Sequence, residues 1–257
     1  MLKSLIIIFV AEFLLYNLRM DTFIKIAHRG ASGHEPENTL RAFEKAIELG
    51  ADMIEFDVHV CKSGEAVVMH DATVDRTTNG KGEIVGKALK ELKSLDAGKG
   101  EKIPTLEEVL NLIDRKTKVN IELKRSETAE PVTKIIHNYV LNKDWSYDDF
   151  LVSSSDFAEL KSFFDKKIPV KLGVIIRKGN SGLKNIIFRK YSYLDFAKSI
   201  NAFSIHFSKF LASSKRIKEA RRQGFSVFVW TVNSESEIKK FKARKTDGIF
   251  SDFPDRL

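Results

Sequence analysis

The sequence predicts an α/β protein folded as a closed (β/α)8 barrel, in which eight parallel strands alternate with helices. From residue 20 onward, short runs of β-branched and aromatic residues alternate with longer stretches of helical pattern, which is typical of repeated β-α units. Eight such runs are present, and eight parallel strands favour a closed barrel over an open sheet. The length of 257 residues and the balanced composition also fit one globular domain.

The predicted strands are spread along the whole chain after residue 20. Several of them combine apolar residues with acidic ones, as in DMIEFDV and KVNIEL, the second and third of the series. The predicted strands cover residues 23–28, 52–58, 118–123, 150–154, 170–176, 202–207, 225–232 and 247–252.

Helical patterns fill the gaps between these strands. Asn38 is expected to cap a helix that ends near Gly50. Thr105 is expected to cap the helix LEEVLNLI and to form a capping box with Glu108. About 45 residues separate the second strand from this helix, far more than the usual βα loop of about 2 to 6. We therefore predict a small inserted subdomain after strand two, over about residues 59–103, above the barrel mouth.

Residues 1–19 form an apolar extension in front of the predicted barrel of residues 20–257. Residues 5–18 read LIIIFVAEFLLYNL, shorter than the roughly 20 apolar residues of a membrane span, and no small-residue cleavage pattern for a signal peptide follows. Three interpretations stay open: translation that starts at Met20, an anchor at the membrane surface, and a helix packed between the last and first strands, where little chain remains for an eighth helix. We expect a cytoplasmic protein, with membrane association through residues 5–18 as the alternative.

The net charge of +8 favours an anionic ligand or partner. Two basic clusters, at residues 215–222 and 239–245, lie in segments of helical composition without interleaved aromatic residues. They are interpreted as solvated helix faces rather than a nucleic-acid surface. Cys61 is the only cysteine, so the chain forms no intrachain disulfide.

Polar side chains collect at the predicted carboxyl ends of the strands, where barrels of this kind bind their ligands. They come from four of the eight strands. The residues are His28 and Arg29 on the first strand, Glu55 and Asp57 on the second, Glu122 and Lys124 on the third, and Trp230 on the seventh.

Three of these residues predict a metal site. Glu55 and Asp57 are two positions apart on one strand, so they share a face, and Glu122 joins them from the neighbouring strand. Crowded carboxylates raise one another's pKa unless a cation neutralises them. Oxygen ligands select a hard ion, Mg²⁺ or Ca²⁺, over zinc, and the sequence does not choose between the two.

Two histidines and two cations complete the predicted site. His28 and His70 suit proton transfer, because an imidazole exchanges protons near neutral pH. Three carboxylates with one divalent ion keep about one negative charge, so an anionic ligand needs further positive groups. The planar guanidinium of Arg29 can bind two oxygens of such an anionic ligand, and Lys124 adds a point charge.

These residues stand within stretches that carry a resemblance to a known family. The chain resembles the glycerophosphodiester phosphodiesterase family from about residue 26 to residue 254. The stretches read AHRGASGHEPENTLRAFEKAIELGADMIEFDVHVCKSGEAVVMHDATVDRTTNGKG, IPTLEEVL, NIELK, VFVWTVN and DGIFSDFP. SDFP departs slightly from the family pattern, in which a threonine usually precedes the aspartate.

The resemblance implies a TIM barrel with an insertion after strand two, and metal-dependent hydrolysis of glycerophosphodiesters to sn-glycerol 3-phosphate and an alcohol. The glycerol 2-hydroxyl would attack phosphorus, and water would then open the cyclic phosphate. By the same resemblance, Glu55, Asp57 and Glu122 bind the metal, and His28 and His70 act as general base and acid. Arg29, Lys124, Trp230 and Asn38 contact the substrate, with helix capping an equal alternative for Asn38.

Other interpretations stay open at this point. Related barrels act on lipid substrates with the same kind of site, so a lysophospholipase D or sphingomyelinase D-like activity is the alternative reaction. A barrel that binds an anionic partner without catalysis is disfavoured, because every histidine and carboxylate of the site is present. Asp71 is a candidate orienting partner for His70. His59 is expected to be peripheral, and His34, His137 and His206 are unassigned.

Overall fold

The computed structural model of the protein describes residues 23–177 and 192–257. Eight parallel strands close into a barrel, because the first strand pairs with both the second and the last. This confirms the predicted TIM barrel. In chain order the barrel strands are β1 (Ile24–His28), β2 (Met53–Val60), β4 (Lys118–Leu123), β5 (Phe150–Ser154), β6 (Lys171–Ile176), β7 (Ser204–Ser208), β8 (Ser226–Trp230) and β9 (Gly248–Ser251).

The predicted strands are confirmed, with ends that shift by at most two residues. A short strand, β3 (Ala66–Val68), was not predicted and pairs antiparallel with the end of β2. Helices of the described residues surround the barrel or lie in the insertion. They are α1 (Leu40–Glu48), α2 (Leu89–Ser94), α3 (Leu106–Ile113), α4 (Ala129–Asn142), α5 (Phe157–Phe164), α6 (Tyr193–Ser199), α7 (Ser214–Arg222) and α8 (Glu235–Ala243).

The strands bury both of their faces. Outward-facing side chains pack against the helices in the largest hydrophobic cluster. Inside the barrel a second cluster includes Ile26, Met53, Leu151, Phe228 and Phe250. The rings of Phe228 and Phe250 lie 6.2 Å apart. This apolar filling leaves the carboxyl ends of the strands as the place for polar side chains.

The segment between β2 and α3 has a hydrophobic cluster of its own. Val67, Val74, Ile84, Leu92 and Ile103 are buried in it. This segment rejoins the barrel at α3, whose first turn is capped by Thr105. The Thr105 hydroxyl accepts a hydrogen bond from Glu108 N, and the Glu108 carboxylate accepts one from Thr105 N. The predicted capping box is therefore confirmed.

The helix cap predicted at Asn38 is wrong. Thr39 caps α1, since its hydroxyl accepts a hydrogen bond from Ala42 N. Asn38 has a φ of 57°, in the left-handed region, whereas a capping residue has extended backbone. Its buried side chain hydrogen-bonds to Asp57 instead.

After β9 the described chain makes one 3-10 turn, Pro254–Arg256. The apolar stretch at 5–18, Met20 and the whole 1–19 extension lie outside the described residues. None of the helices in the described part combines the length and apolar composition that crossing a membrane requires.

Candidate active site

A pocket of about 330 Å³ opens at the carboxyl ends of the barrel strands. It collects seven predicted site residues from four strands and the loops beyond them, whereas Asp57 lies buried behind its wall. The predicted residues in its lining are His28, Arg29, Glu55, His70, Glu122, Lys124 and Trp230. Residues not predicted as part of the site are Asn120, Ser155, Ile175, Arg177, His206 and Phe250.

The three predicted metal ligands form one cluster. One carboxylate oxygen from each of Glu55, Asp57 and Glu122 lies within 4.8 Å of the other two. Glu55 and Asp57 project from the same face of β2, and Glu122 lies opposite Asp57 in the register of β4. Strand pairing therefore brings together carboxylates that are distant along the chain.

Two cations lie against this cluster. Lys124 Nζ is 2.8 Å from Glu122 Oε1 and 3.2 Å from Asp57 Oδ1. Arg29 donates its backbone N–H to Glu55 Oε2 at 2.9 Å, and its Nε lies 3.5 Å from Asp57 Oδ2. Burial opposes ionisation of Asp57, but Lys124 and Arg29 outweigh it and hold its pKa well below the usual value.

Glu55 shows the opposite shift. Burial, followed by the charges of Asp57 and Glu122, raises the pKa of Glu55 well above its ordinary value. Asp57 Oδ1 is fully buried, and its contact with Lys124 Nζ at 3.2 Å lacks the geometry of a hydrogen bond. Three crowded carboxylates, one of them with an oxygen that accepts no hydrogen bond among the described residues, fit a hard divalent cation, which would remove the repulsion.

His28 is oriented by a carboxylate from the opposite end of the chain. Its Nδ1 lies 2.7 Å from Asp252 Oδ1, and Asn233 Nδ2 donates to the other oxygen of Asp252 at 2.6 Å. Burial would raise the pKa of Asp252, but hydrogen bonds and the imidazole charge bring it down to about 2. An ionised carboxylate only accepts, so His28 Nδ1 carries a proton and Nε2 is left for proton exchange.

His70 has the same arrangement with another partner. Its Nδ1 lies 2.6 Å from Asp71 Oδ1, so the predicted orienting partner is confirmed. The hydrogen bond from Arg76 is the largest influence on Asp71 and, against its partial burial, lowers the pKa to about 2. Burial lowers the pKa of His70, while the charge of Asp57 and the hydrogen bond to Asp71 act in the opposite direction.

Asp252 and Arg76 are the main site residues that the sequence analysis missed. Both occur in stretches quoted for the family resemblance, SDFP and VDRTT, but nothing in their local pattern shows what they contact. Asp252 lies 224 positions from His28. Only closure of the barrel brings this pair together.

Trp230, His206 and His59 lie beside the centre of the site, whereas His34 contacts Asp255 and His137 contacts Tyr147, away from the pocket. Trp230 lines the pocket and donates its indole N–H to the backbone carbonyl of His206 at 3.2 Å. His206 is buried beneath the pocket, where burial lowers its pKa to about 3. His59 Nε2 contacts the His70 carbonyl at 3.2 Å, and burial lowers its pKa to about 4. Asn38 does not line the pocket and contacts Asp57 instead.

Comparisons with known proteins agree with this geometry. The family model for the glycerophosphoryl diester phosphodiesterase family matches residues 28–256. A glycerophosphodiester phosphodiesterase from Caldanaerobacter subterraneus subsp. tengcongensis is 35% identical over 93% of this chain and 97% of that protein. A human lysophospholipase D is 26% identical over 95% of this chain and 88% of that protein.

A solved structure supports the same assignment. The phosphodiesterase of Oleispira antarctica, in complex with the product sn-glycerol-3-phosphate, is 30% identical with a TM-score of 0.76. The alignment covers 90% of this chain and 93% of the Oleispira chain. The chain therefore belongs to the glycerophosphoryl diester phosphodiesterase family.

Proposed function

We propose that this glycerophosphodiester phosphodiesterase binds one divalent cation at Glu55, Asp57 and Glu122 and transfers protons through His28 and His70. The observation that carries the proposal is that both histidines line the same pocket as Glu55 and Glu122 of the carboxylate cluster, each with its own carboxylate on Nδ1. The substrate is a glycerophosphodiester, and the products are sn-glycerol 3-phosphate and an alcohol. When bound, Mg²⁺ or Ca²⁺ would withdraw electron density from the phosphate oxygens.

The two histidines perform the proton transfers in turn. His28 Nε2 takes the proton of the glycerol 2-hydroxyl as that oxygen attacks phosphorus. His70 gives a proton to the departing alcohol as its bond to phosphorus breaks, leaving a cyclic phosphate. The roles then reverse: His70 takes a proton from water as it attacks the cyclic phosphate, and His28 returns a proton to the 2-oxygen.

Asp252 and Asp71 support these steps, because each fixes the proton on Nδ1 and stabilises the imidazolium when it forms. Arg29 and Lys124 line the same pocket and carry the positive charge that the phosphate monoanion requires. We propose that Trp230 packs its ring face against the glycerol. Asn38 acts from behind the pocket by holding Asp57 with its amide, rather than by touching the substrate.

A substrate panel with chelation and metal add-back tests the proposal. Purified protein is treated with EDTA, and glycerol 3-phosphate release is then measured with Mg²⁺ or Ca²⁺ restored. The panel contains glycerophosphocholine, glycerophosphoethanolamine and glycerophosphoglycerol. We expect release that depends on the added ion. Full activity in excess EDTA would contradict the metal proposal, and no turnover of any diester by folded protein would contradict the substrate class.

A second candidate activity is that of a lysophospholipase D on lipid substrates. Two observations favour it: the human relative bears that name, and Phe210, two residues beyond β7, is 85% exposed on the edge of the barrel that carries the pocket. Adding lysophosphatidylcholine to the panel separates the two activities. Turnover of the lysolipid alone would favour this candidate. The sphingomyelinase D-like alternative stays a prediction, and sphingomyelin in the same panel tests it.

A further inference from the structure

We propose that Arg76 is a positioning residue that holds two parts of the site at once: His70 through Asp71, and Arg29 through Glu37. Arg76 belongs to the segment inserted between β2 and α3, whereas Arg29 and Glu37 lie in the loop between β1 and α1. The inference rests on the function proposed above for His70 and Arg29. It adds a residue that touches neither the pocket nor the reacting atoms.

The guanidinium of Arg76 binds two carboxylates in different parts of the chain. Its Nε donates to Asp71 Oδ2 at 2.7 Å, and its Nη2 lies 3.3 Å from Asp71 Oδ1. On its other edge, Nη1 donates to Glu37 Oε2 at 2.8 Å and Nη2 donates to Glu37 Oε1 at 2.7 Å. Two edges of one planar group are therefore each paired with a carboxylate.

Each of those carboxylates holds a residue of the site. Asp71 contacts His70 Nδ1 at 2.6 Å, and Glu37 Oε1 accepts a hydrogen bond from Arg29 Nη1 at 2.8 Å. Beyond His70, charges of alternating sign thus run from Asp71 to Arg29, and Arg29 continues to Asp57. Burial would raise the pKa of Glu37, but Arg76 and Arg29 outweigh it, so this carboxylate stays ionised as an acceptor.

Lysine could not replace Arg76 in this arrangement. An ammonium group is one point charge, whereas the guanidinium presents donors along two edges in a fixed plane. The Glu37 side chain is 21% exposed and that of Asp71 31% exposed. A single lysine could neutralise one of them but would leave the other without its paired donors.

Asp252, the carboxylate partner of His28, has no arginine support of this kind among the described residues. Asp252 receives hydrogen bonds from the neutral groups of Ser32 and Asn233. Nothing cationic except the imidazole is bonded to Asp252 among the described residues. The two histidines therefore have similar carboxylates but different supports, and only the support of His70 also reaches a phosphate-binding residue.

The experiment compares the steady-state kinetics of glycerophosphocholine hydrolysis in five variants. Asp71→Asn is expected to lower kcat with little change in KM, because it acts through His70. Glu37→Gln is expected to raise KM with a smaller change in kcat, because it acts through Arg29. Arg76→Gln should do both, by about tenfold each, within the range of about 10- to 100-fold usual for residues that support a site. Arg76→Lys should not restore the wild-type values.

Arg222→Gln is the matched control, because Arg222 is an exposed arginine whose guanidinium contacts Glu219 on the same helix. It should behave as wild type. Thermal unfolding of each variant shows whether the fold is kept. Wild-type kcat and KM in folded Arg76→Gln would overturn the inference, and so would full rescue by Arg76→Lys. No release of glycerol 3-phosphate by the wild type would refute the proposed function instead, so the two failures are distinguishable.

Discussion

Replacing Asp252 with asparagine tests how much the carboxylate behind His28 contributes to turnover. The side chain keeps its size, but its two oxygens become one oxygen and one amide. In the wild-type protein, Asp252 Oδ1 accepts a hydrogen bond from His28 Nδ1, and Oδ2 accepts one from Asn233 Nδ2. A single carbonyl oxygen cannot keep both contacts in this geometry, so at least one donor loses its partner.

The size of the effect follows from the pKa of Asp252, which stands at about 2 instead of 3.8. One pKa unit corresponds to about 1.4 kcal/mol. His28 accounts for only part of this shift, because Asn233 and Ser32 also donate hydrogen bonds to Asp252. The side chain of Asp252 is 29% exposed, so solvent screens its charge further. We therefore assign about 1 to 2 kcal/mol to the pair with His28. If this energy acts on the imidazolium formed during catalysis, kcat falls by about 5- to 30-fold.

The assay is release of glycerol 3-phosphate at saturating glycerophosphocholine. Asp255→Asn is the control, because Asp255 contacts His34 at 2.8 Å in a similar pair that does not line the pocket. It should leave kcat unchanged. A folded Asp252→Asn variant whose kcat stays within about twofold of wild type would refute the argument, since about 1 kcal/mol already corresponds to about fivefold.

The depressed pKa of Asp252 also has a consequence for stability. The folded state binds a proton on this carboxylate less readily than the unfolded chain does. Its contribution is therefore fully present above about pH 4 and is lost as the pH falls towards 2. The free energy of unfolding of Asp252→Asn should approach that of wild type over this range. A constant difference between the two proteins from pH 6 to pH 2.5 would contradict this assignment.

Three further predictions address proton transfer, the metal and the fold. His28→Ala should lower kcat by about 100-fold or more in a protein that still folds and unfolds cooperatively; His34→Ala is the control, and near-normal turnover by His28→Ala would refute its assigned role. Glu122→Gln should weaken Mg²⁺ or Ca²⁺ binding by at least about tenfold in calorimetry, and unchanged affinity would exclude Glu122 as a ligand. Thr105→Ala removes the α3 cap and should cost about 1 kcal/mol in urea unfolding; Thr133→Ala, which removes a hydroxyl inside α4, is the comparison, and an equal or smaller loss at Thr105 would contradict the capping argument.

The strands and the centre of the site could be predicted because their signal is local. Alternation of side chains along β2 puts Glu55 and Asp57 on one face, and the carboxyl ends of parallel strands meet at one edge of a barrel. Arg29 and Lys124 were predicted to hold phosphate. Among the described residues they contact the carboxylates of the site, and their contact with phosphate remains a proposal.

The misses have physical causes as well. β3 has three residues, too few for a periodic pattern. The cap of α1 was assigned to Asn38 instead of Thr39, because both residue types cap helices and only tertiary structure decides between them. Asn38 is held by Asp57, across 19 positions. Asp252 and Arg76 were missed because their partners come from the closed barrel and from a long insertion, which no local pattern describes.

The pairing of His28 with Asp252 has a consequence for when the enzyme becomes active during synthesis. The two residues lie in the first and last strand regions and meet only when β9 has docked beside β1. The carboxylates of the cluster come from β2 and β4, which precede β9 in the chain, but His28 lacks the carboxylate that fixes its proton until Asp252 is in place. On the proposed mechanism, full activity therefore requires β9 to be docked beside β1, and we expect a barrel without this strand to be a poor catalyst.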